Sequence, residues 1–313
     1  MLRLIPVRPR APRAGLAWGP HTTAPAPGFR MTMRFESTSF RGLPCIGLHA
    51  GGASALRALR GAQLLSWRPA DGRERLFLGE RADFSPGAAI RGGVPVIFPQ
   101  FAERGLLRKH GFARLLDWSF LGVSDGAAVF ELREGPGTVD WPHAFACRLS
   151  FALQADAVEV ALEVENRGGT AFAFTAALHT YLRVDDLAGV ALEGLQGCDY
   201  EDSAAGGTLH REDRAVLAFE GEVDRIYGDV VAPLSLADGE HRLAIAQDGF
   251  ADTVVWNPGA QLASRMPDLA PGEYRRFVCV EAGQVLQPAV LAPGARWLGS
   301  QRLGLGAVSA ARW

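Results

Sequence analysis

The stretch from Val158 to Val184 constrains the fold more than any other part of the chain, because it alternates with period two almost throughout. Val158, Val160, Leu162 and Val164 fall on one side of an extended segment, and Glu159, Glu163 and Glu165 on the other. Asn166-Arg167-Gly168-Gly169 is turn chemistry. A second run follows, with Phe172, Phe174, Ala176 and Leu178 on one face and Thr175, Ala177, His179, Tyr181 and Arg183 on the other. The two runs read as a hairpin whose apolar sides share a core. A helical period of 3.6 is missing here and almost everywhere else. The fold class expected is therefore all-β, an antiparallel β-sandwich of two stacked sheets. His179, with small neighbours and a polar exit, is placed to line a pocket on one of them. Whether it does chemistry depends on a partner from elsewhere in the chain.

The same strand–turn grammar recurs from about Phe35 onward. Residues 62–67 run into Pro69-Ala70-Asp71-Gly72, residues 76–78 make a short strand, and 115–133 and 145–153 continue the pattern. Later strands are expected at 242–247, 252–256 and 275–281. With 313 residues, 48% of them hydrophobic, there is apolar material for one large core. Residues 1–34 stand apart: they hold six arginines, many Pro and Ala, and no acid. Such a segment buries nothing and is expected to be disordered, leaving 35–313 as a single domain.

Several function classes are excluded or disfavoured. A net charge of −2 supplies no basic footprint for nucleic acid. No apolar run approaches the about 20 residues that span a bilayer, so no membrane partner is expected. Cys45, Cys147, Cys198 and Cys279 lie far apart without a CxxC spacing, which points to reduced thiols, a cytoplasmic protein and no metal or other cofactor. There is no HExxH, P-loop or glycine-rich dinucleotide turn. His143, His179, His210 and His241 show no metal-ligand spacing.

Four polar features remain. Arg91 heads Arg91-Gly92-Gly93-Val94-Pro95, where two glycines permit close backbone approach; its planar fork suits an anionic or polyhydroxyl ligand, or it is an exposed turn arginine. Lys109, His110 and Arg114 crowd around Gly111, a density that suits phosphate or carboxylate, or forms a solvated basic loop. Glu281 shares strand parity with Phe277 and Cys279, so a carboxylate falls on an apolar face, where it is costly unless paired with an arginine or protonated. Asp224 accepts sugar hydroxyls or caps a turn, and local sequence favours the turn.

Taken in order, RGGVPVIFPQF (91–101), HGFAR (110–114), WPH (141–143), LHTYLRV (178–184), DRIY (224–227), VVWNPG (254–259) and MPDLAPGEYRRFVCVEAG (266–283) resemble the glucose-6-phosphate 1-epimerase family, the hexose-6-phosphate branch of the aldose 1-epimerases. QPAVLAPGARW (287–297) resembles that family's C-terminal strand pair. One such motif is weak; seven in sequence are specific, and they span roughly residues 38–300. The resemblance implies a galactose-mutarotase-like sandwich with its site in a cleft on one sheet. It implies His179 as general acid, Glu281 as general base, Arg91 and Arg114 as holders of the 6-phosphate, and Asp224 as a sugar contact, with His110 inside the matched HGFAR. One departure stands out: relatives often carry glutamine before HGFAR, where this chain has Lys109, which either adds charge to the phosphate pocket or points to solvent.

The reaction so implied interconverts α and β anomers of a hexose 6-phosphate, the sole partner expected of a monomer. One group takes the proton from the C1 hydroxyl and the other gives one to the ring oxygen, with a single pyranose ring lying between His179 and Glu281. Burial is expected to raise the Glu281 pKa toward neutrality. The rival readings are a 1-epimerase acting on unphosphorylated aldoses and a non-catalytic carbohydrate-binding protein. The cations at 91 and 109–114 favour the phosphorylated substrate, and the joint presence of His179 and Glu281 favours an enzyme.

Overall fold

A computed structural model describes residues 33–306, and within them the chain is built almost entirely of antiparallel strands. Two large sheets face one another. One has nine strands, and the strand Ala157–Asn166 lies inside it, paired with Phe145–Leu153 and Arg296–Leu305. The other has eight and contains Phe172–Leu178, paired with Phe277–Leu291 and Val96–Ile97. A four-stranded sheet over residues 34–68 adds Ile46, Leu48, Leu64 and Trp67 to the same core. Among the described residues no helix is long and apolar enough to cross a membrane. The expected disordered segment, 1–34, lies outside the described residues except for Met33, which is buried, and Arg34, which opens the first strand.

The hairpin expected across residues 158–184 does not form. Its two strands lie in different sheets, and the turn between them is a corner that crosses the sandwich. The alternation itself is intact: Val158, Val160, Leu162 and Val164 meet Phe172, Phe174, Ala176 and Leu178 in one core. The apolar sides face each other across the core instead of lying side by side in one sheet. Asn166, fully buried, fixes the corner by donating from Nδ2 to Thr170 O at 2.8 Å and Leu291 O at 2.9 Å, while its Oδ1 accepts from Gly168 N. Two smaller expectations also change. Residues 76–78 form only isolated bridges, Leu76 to Leu182 and Leu78 to Gly92, and the strand expected from residue 275 begins at Phe277 because 273–276 coil into a 3₁₀ turn.

The outer face of the eight-stranded sheet is covered by loops instead of solvent. At one end Ile97, Phe101, Ala177, Ile226, Val254 and Val285 pack together; at the other, Phe77, Tyr181, Leu269, Phe277 and Cys279 do. Between these two apolar clusters lie the polar residues considered next.

Candidate active site

Register alone brings the key pair together. Leu178 pairs with Ala282 and Tyr181 with Cys279, so the ladder, continued through the break at residues 179–180, sets His179 directly opposite Glu281. On the next strand Glu281 pairs with Val254, and beyond it Val254 with Ile226. The adjacent row on the same face reads Tyr181, Cys279, Trp256, Asp224. Asp224 therefore lies within the strand Val223–Gly228 and is not a turn cap.

A cavity of about 500 Å³ opens over these rows, a size usual for small-molecule sites. It is lined by all seven residues singled out in the sequence: Arg91, Lys109, His110, Arg114, His179, Asp224 and Glu281. Two glycine-dependent contacts aim the cationic wall. A Cβ on Gly93 (φ +63°) would sit 2.0 Å from Leu64 O, and one on Gly92 2.3 Å from Phe77 O, so only glycine lets the segment after Arg91 press against its neighbours. His110 itself takes a left-handed φ of 67°, and its Nδ1 accepts from Ala102 N at 3.2 Å, which leaves the Nε2 proton to face away from that bond.

Burial decides the chemistry of the pair. His179 is 7% exposed and Glu281 1%. His179 Nδ1 lies 3.1 Å from Glu281 Oε1, yet among the described residues Nδ1 and Glu281 Oε2 both lack a hydrogen bond. The expectation that a pyranose ring fits between the two groups is therefore wrong. They touch, because opposed residues on neighbouring strands are too close to admit a sugar. Nor, among the described residues, does an arginine form an ion pair with Glu281. Burial, reinforced by Asp224 and opposed by Arg114, pushes Glu281 well above the usual carboxyl range. Burial, reinforced by the neighbouring His110 and by the positive charges of Arg91 and Arg114, drives His179 well below the ordinary imidazole value. The resting pair is neutral overall.

The cations are not equivalent. Arg91 donates from Nε and Nη2 to Asp268 Oδ2 at 3.0 and 2.9 Å and from Nη1 to the Tyr181 hydroxyl at 2.8 Å. Burial works against its charge, but Tyr181 and Asp268 outweigh that and keep it protonated. Among the described residues Arg114 spends one donor on Lys109 O at 3.1 Å, has a buried Nε without a partner, and forms no ion pair; burial lowers it to about 10, still cationic at neutral pH. Lys109 is exposed and also unpaired among the described residues. His110 is held at about 3 by burial and by Arg114, Lys109 and Arg91, so it is neutral. Asp224 is raised to about 6, chiefly by burial and then by Glu222.

His179, Cys279 and Glu281 bring three possible ligand atoms within 4.8 Å of one another, a grouping invisible in their spacing along the chain. Burial keeps Cys279 a thiol, and Arg91 and Arg114 both act on His179, so the local field suits an anion better than a cation. The functional neighbours that local sequence patterns did not single out are Tyr181, stacked on the His179 ring at 4.7 Å and 7°, Trp256, edge-on at 5.9 Å, and Asp268. Each sits inside one of the motifs quoted above, but nothing local assigns it a task.

A loop-covered cleft on one face of a β-sandwich, floored by an imidazole–carboxyl pair and walled by cations, defines a protein of the sugar-mutarotase class. Comparison with known proteins agrees. The family model described as aldose 1-epimerase matches residues 44–304. A plant protein from Cenchrus ciliaris, named "Putative glucose-6-phosphate 1-epimerase", is 37% identical over 265 residues, covering 80% of each chain. An Escherichia coli protein of the same printed name is 37% identical over 235 residues, 72% of this chain and 77% of its own. A crystal structure from Salmonella typhimurium, titled as that of "a putative mutarotase", superposes with a TM-score of 0.79 at 29% identity, covering 88% of this chain and 94% of that one. A galactose mutarotase-related enzyme from Lactobacillus acidophilus, 14% identical with a TM-score of 0.66, shares the fold. The chain belongs to the aldose 1-epimerase family, and with it to the isomerases that act on sugars.

Proposed function

We propose that this protein interconverts the α and β anomers of hexose 6-phosphates, with His179 and Glu281 moving the protons. The observation that carries the reading is the contact pair itself: two titratable groups, each with an unused buried polar atom, side by side on the cavity floor. Both oxygens that exchange protons, the C1 hydroxyl and the ring oxygen, are bonded to the same carbon. Adjacent acid and base therefore serve them better than groups on opposite sides of a ring.

The sugar ring lies against the pair and extends toward Asp224, two strand spacings from Glu281, about 10 Å. Glu281 as carboxylate takes the proton of the C1 hydroxyl, and His179 as imidazolium gives one to the ring oxygen. The C1–ring oxygen bond breaks and C1 becomes a carbonyl. Rotation about C1–C2 and the reverse transfers close the other anomer, and both groups end as they began. Burial favours the neutral tautomer at rest, and one proton shift across the 3.1 Å contact reaches the reactive one. Such positioned proton transfer is typically worth ~10²–10⁴-fold.

Arg114 and Lys109 are assigned to the phosphate, since both carry uncompensated charge, whereas Asp268 already neutralises Arg91. This support favours phosphorylated over free aldoses. The test is anomer exchange followed by NMR on glucose 6-phosphate and on glucose. His179→Asn and Glu281→Gln should each lose exchange while keeping the parental melting temperature, and Arg114→Ala should raise KM for the phosphorylated sugar alone. Near-normal turnover in either of the first two variants sinks the acid–base assignment. An equal rise of KM for both sugars sinks the phosphate assignment.

A further inference from the structure

The His179 ring is gripped through a chain of contacts that starts far from the cavity floor. The strand is interrupted at residues 179–180, where the His179 N–H donates to Pro95 O at 3.0 Å; that bond holds the backbone and leaves the plane of the ring to side-chain contacts. Its ring instead stacks on Tyr181, centroids 4.7 Å apart and planes within 7°. Tyr181 is 2% exposed, and Phe277 and Phe77 flank its ring. Its hydroxyl end accepts one hydrogen bond, from Arg91 Nη1 at 2.8 Å. Arg91 is in turn fixed by a two-pronged bond to Asp268. Gly79 clamps that last link: its N–H donates to Arg91 O at 3.0 Å, and a Cβ there would meet Asp268 O at 3.0 Å and Arg91 Cγ at 3.3 Å.

We propose that Asp268, Arg91 and Tyr181 act as one positioning chain that sets the plane of the His179 imidazole. The proposal rests on the acid–base reading of His179 given above. The physical case is that proton transfer depends steeply on the orientation of the transferring group, whereas ground-state sugar binding does not. An arginine is required at the middle position because its planar fork reaches two partners in different directions; a lysine reaches one. Asp268 then matters through Arg91 and Tyr181 without touching the sugar.

The test uses Asp268→Asn, Tyr181→Phe, the double variant and Asp268→Glu, each in the full-length protein, with glucose 6-phosphate and glucose as substrates. Asp268→Asn and Tyr181→Phe should each lower kcat roughly 10–10²-fold, by the same factor for both sugars, with KM for glucose 6-phosphate within about twofold of the parent. The double variant should be no slower than the slower single one, because members of one chain do not act additively. Asp268→Glu should recover most of the rate. A KM increase confined to the phosphorylated sugar with kcat unchanged would make these contacts a support for binding alone and overturn the proposal, as would losses that multiply in the double variant. A second readout separates this idea from the enzymatic one. The His179 ring protons, shifted by the stacked Tyr181, should move in the NMR spectrum of Asp268→Asn. If they move but the parent exchanges no anomers, the proposed function falls and the chain of contacts stands; if the parent is active and they do not move, the chain of contacts falls.

Discussion

Replacing Asp224 with asparagine should make the folded protein more stable and the enzyme worse, and the structure sets the size of both effects. Asp224 lies in a mostly buried position on the cavity wall, with no side-chain partner among the described residues. Burial, then Glu222 and Asp202, raise its carboxyl from 3.8 to about 6, against Lys109 and Arg104, which pull the other way. The shift is about two units, and each unit is worth about 1.4 kcal/mol, so holding the ionised form in the folded state costs up to about 3 kcal/mol. The sign follows from which state keeps the proton. Between pH 4 and 6 the folded protein still binds a proton that the unfolded chain has released, so the parent loses stability as pH rises through that window and bears the full cost above about pH 6. Asparagine is neutral throughout and removes that slope.

At pH 7.5 Asp224→Asn should therefore melt about 6 °C above the parent, while below pH 3.5 the two should coincide. In the same variant a hydrogen bond from a sugar hydroxyl to a charged acceptor is weakened, which should raise KM by roughly tenfold with kcat little changed. Scanning calorimetry across pH 3.5–8, with KM measured at pH 7.5, checks both. An Asp224→Asn protein that melts below the parent at pH 7.5, or that keeps the parental pH slope, would refute the claim that this carboxylate is held at a cost for the sake of the ligand.

Other outcomes follow from the same geometry. At saturating sugar, kcat should stay level down to pH 5.5, where a free imidazole is about 90% protonated, because burial and the nearby cations resist a second proton on His179; an acid limb centred at 6.5 would contradict this. Gly93→Ala, whose Cβ would lie 2.0 Å from Leu64 O at a left-handed φ, should destabilise by more than about 3 kcal/mol in urea unfolding. Arg57 is fully buried between the rings of Phe130 and Phe151, each 4.9 Å away, with two guanidinium nitrogens unbonded and its pKa lowered to about 9 by burial. Arg57→Met should leave stability unchanged or raise it by about 1 kcal/mol at pH 7, since a buried cation without a carboxylate seldom repays its desolvation; a clear loss in the same unfolding assay would count against that view.

The alternation of Val158 to Val164 and of Phe172 to Leu178 settled the fold class and named the core faces, because side-chain parity is a local property of an extended chain. The residues of the cavity were legible too: Arg91, Lys109, His110, Arg114, His179 and Glu281 stood out as polar groups in apolar or glycine-rich settings, and the family resemblance added Asp224, where local sequence favoured a turn. What parity does not specify is the neighbour. The turn at Asn166 looked like a hairpin and is a crossing between sheets, a choice made by Asn166 bonding to Leu291, 125 positions away. His179 and Glu281 were expected to flank a sugar and instead touch, because the ladder running from Leu178–Ala282 to Tyr181–Cys279 puts them opposite each other. That Asp268 and Tyr181 lie beside Arg91, read from the sequence as a phosphate holder or an exposed turn arginine, only the fold shows. Each of these turns on which distant segment comes to lie beside a residue, and that is settled by packing the whole core at once, not by any window of the chain.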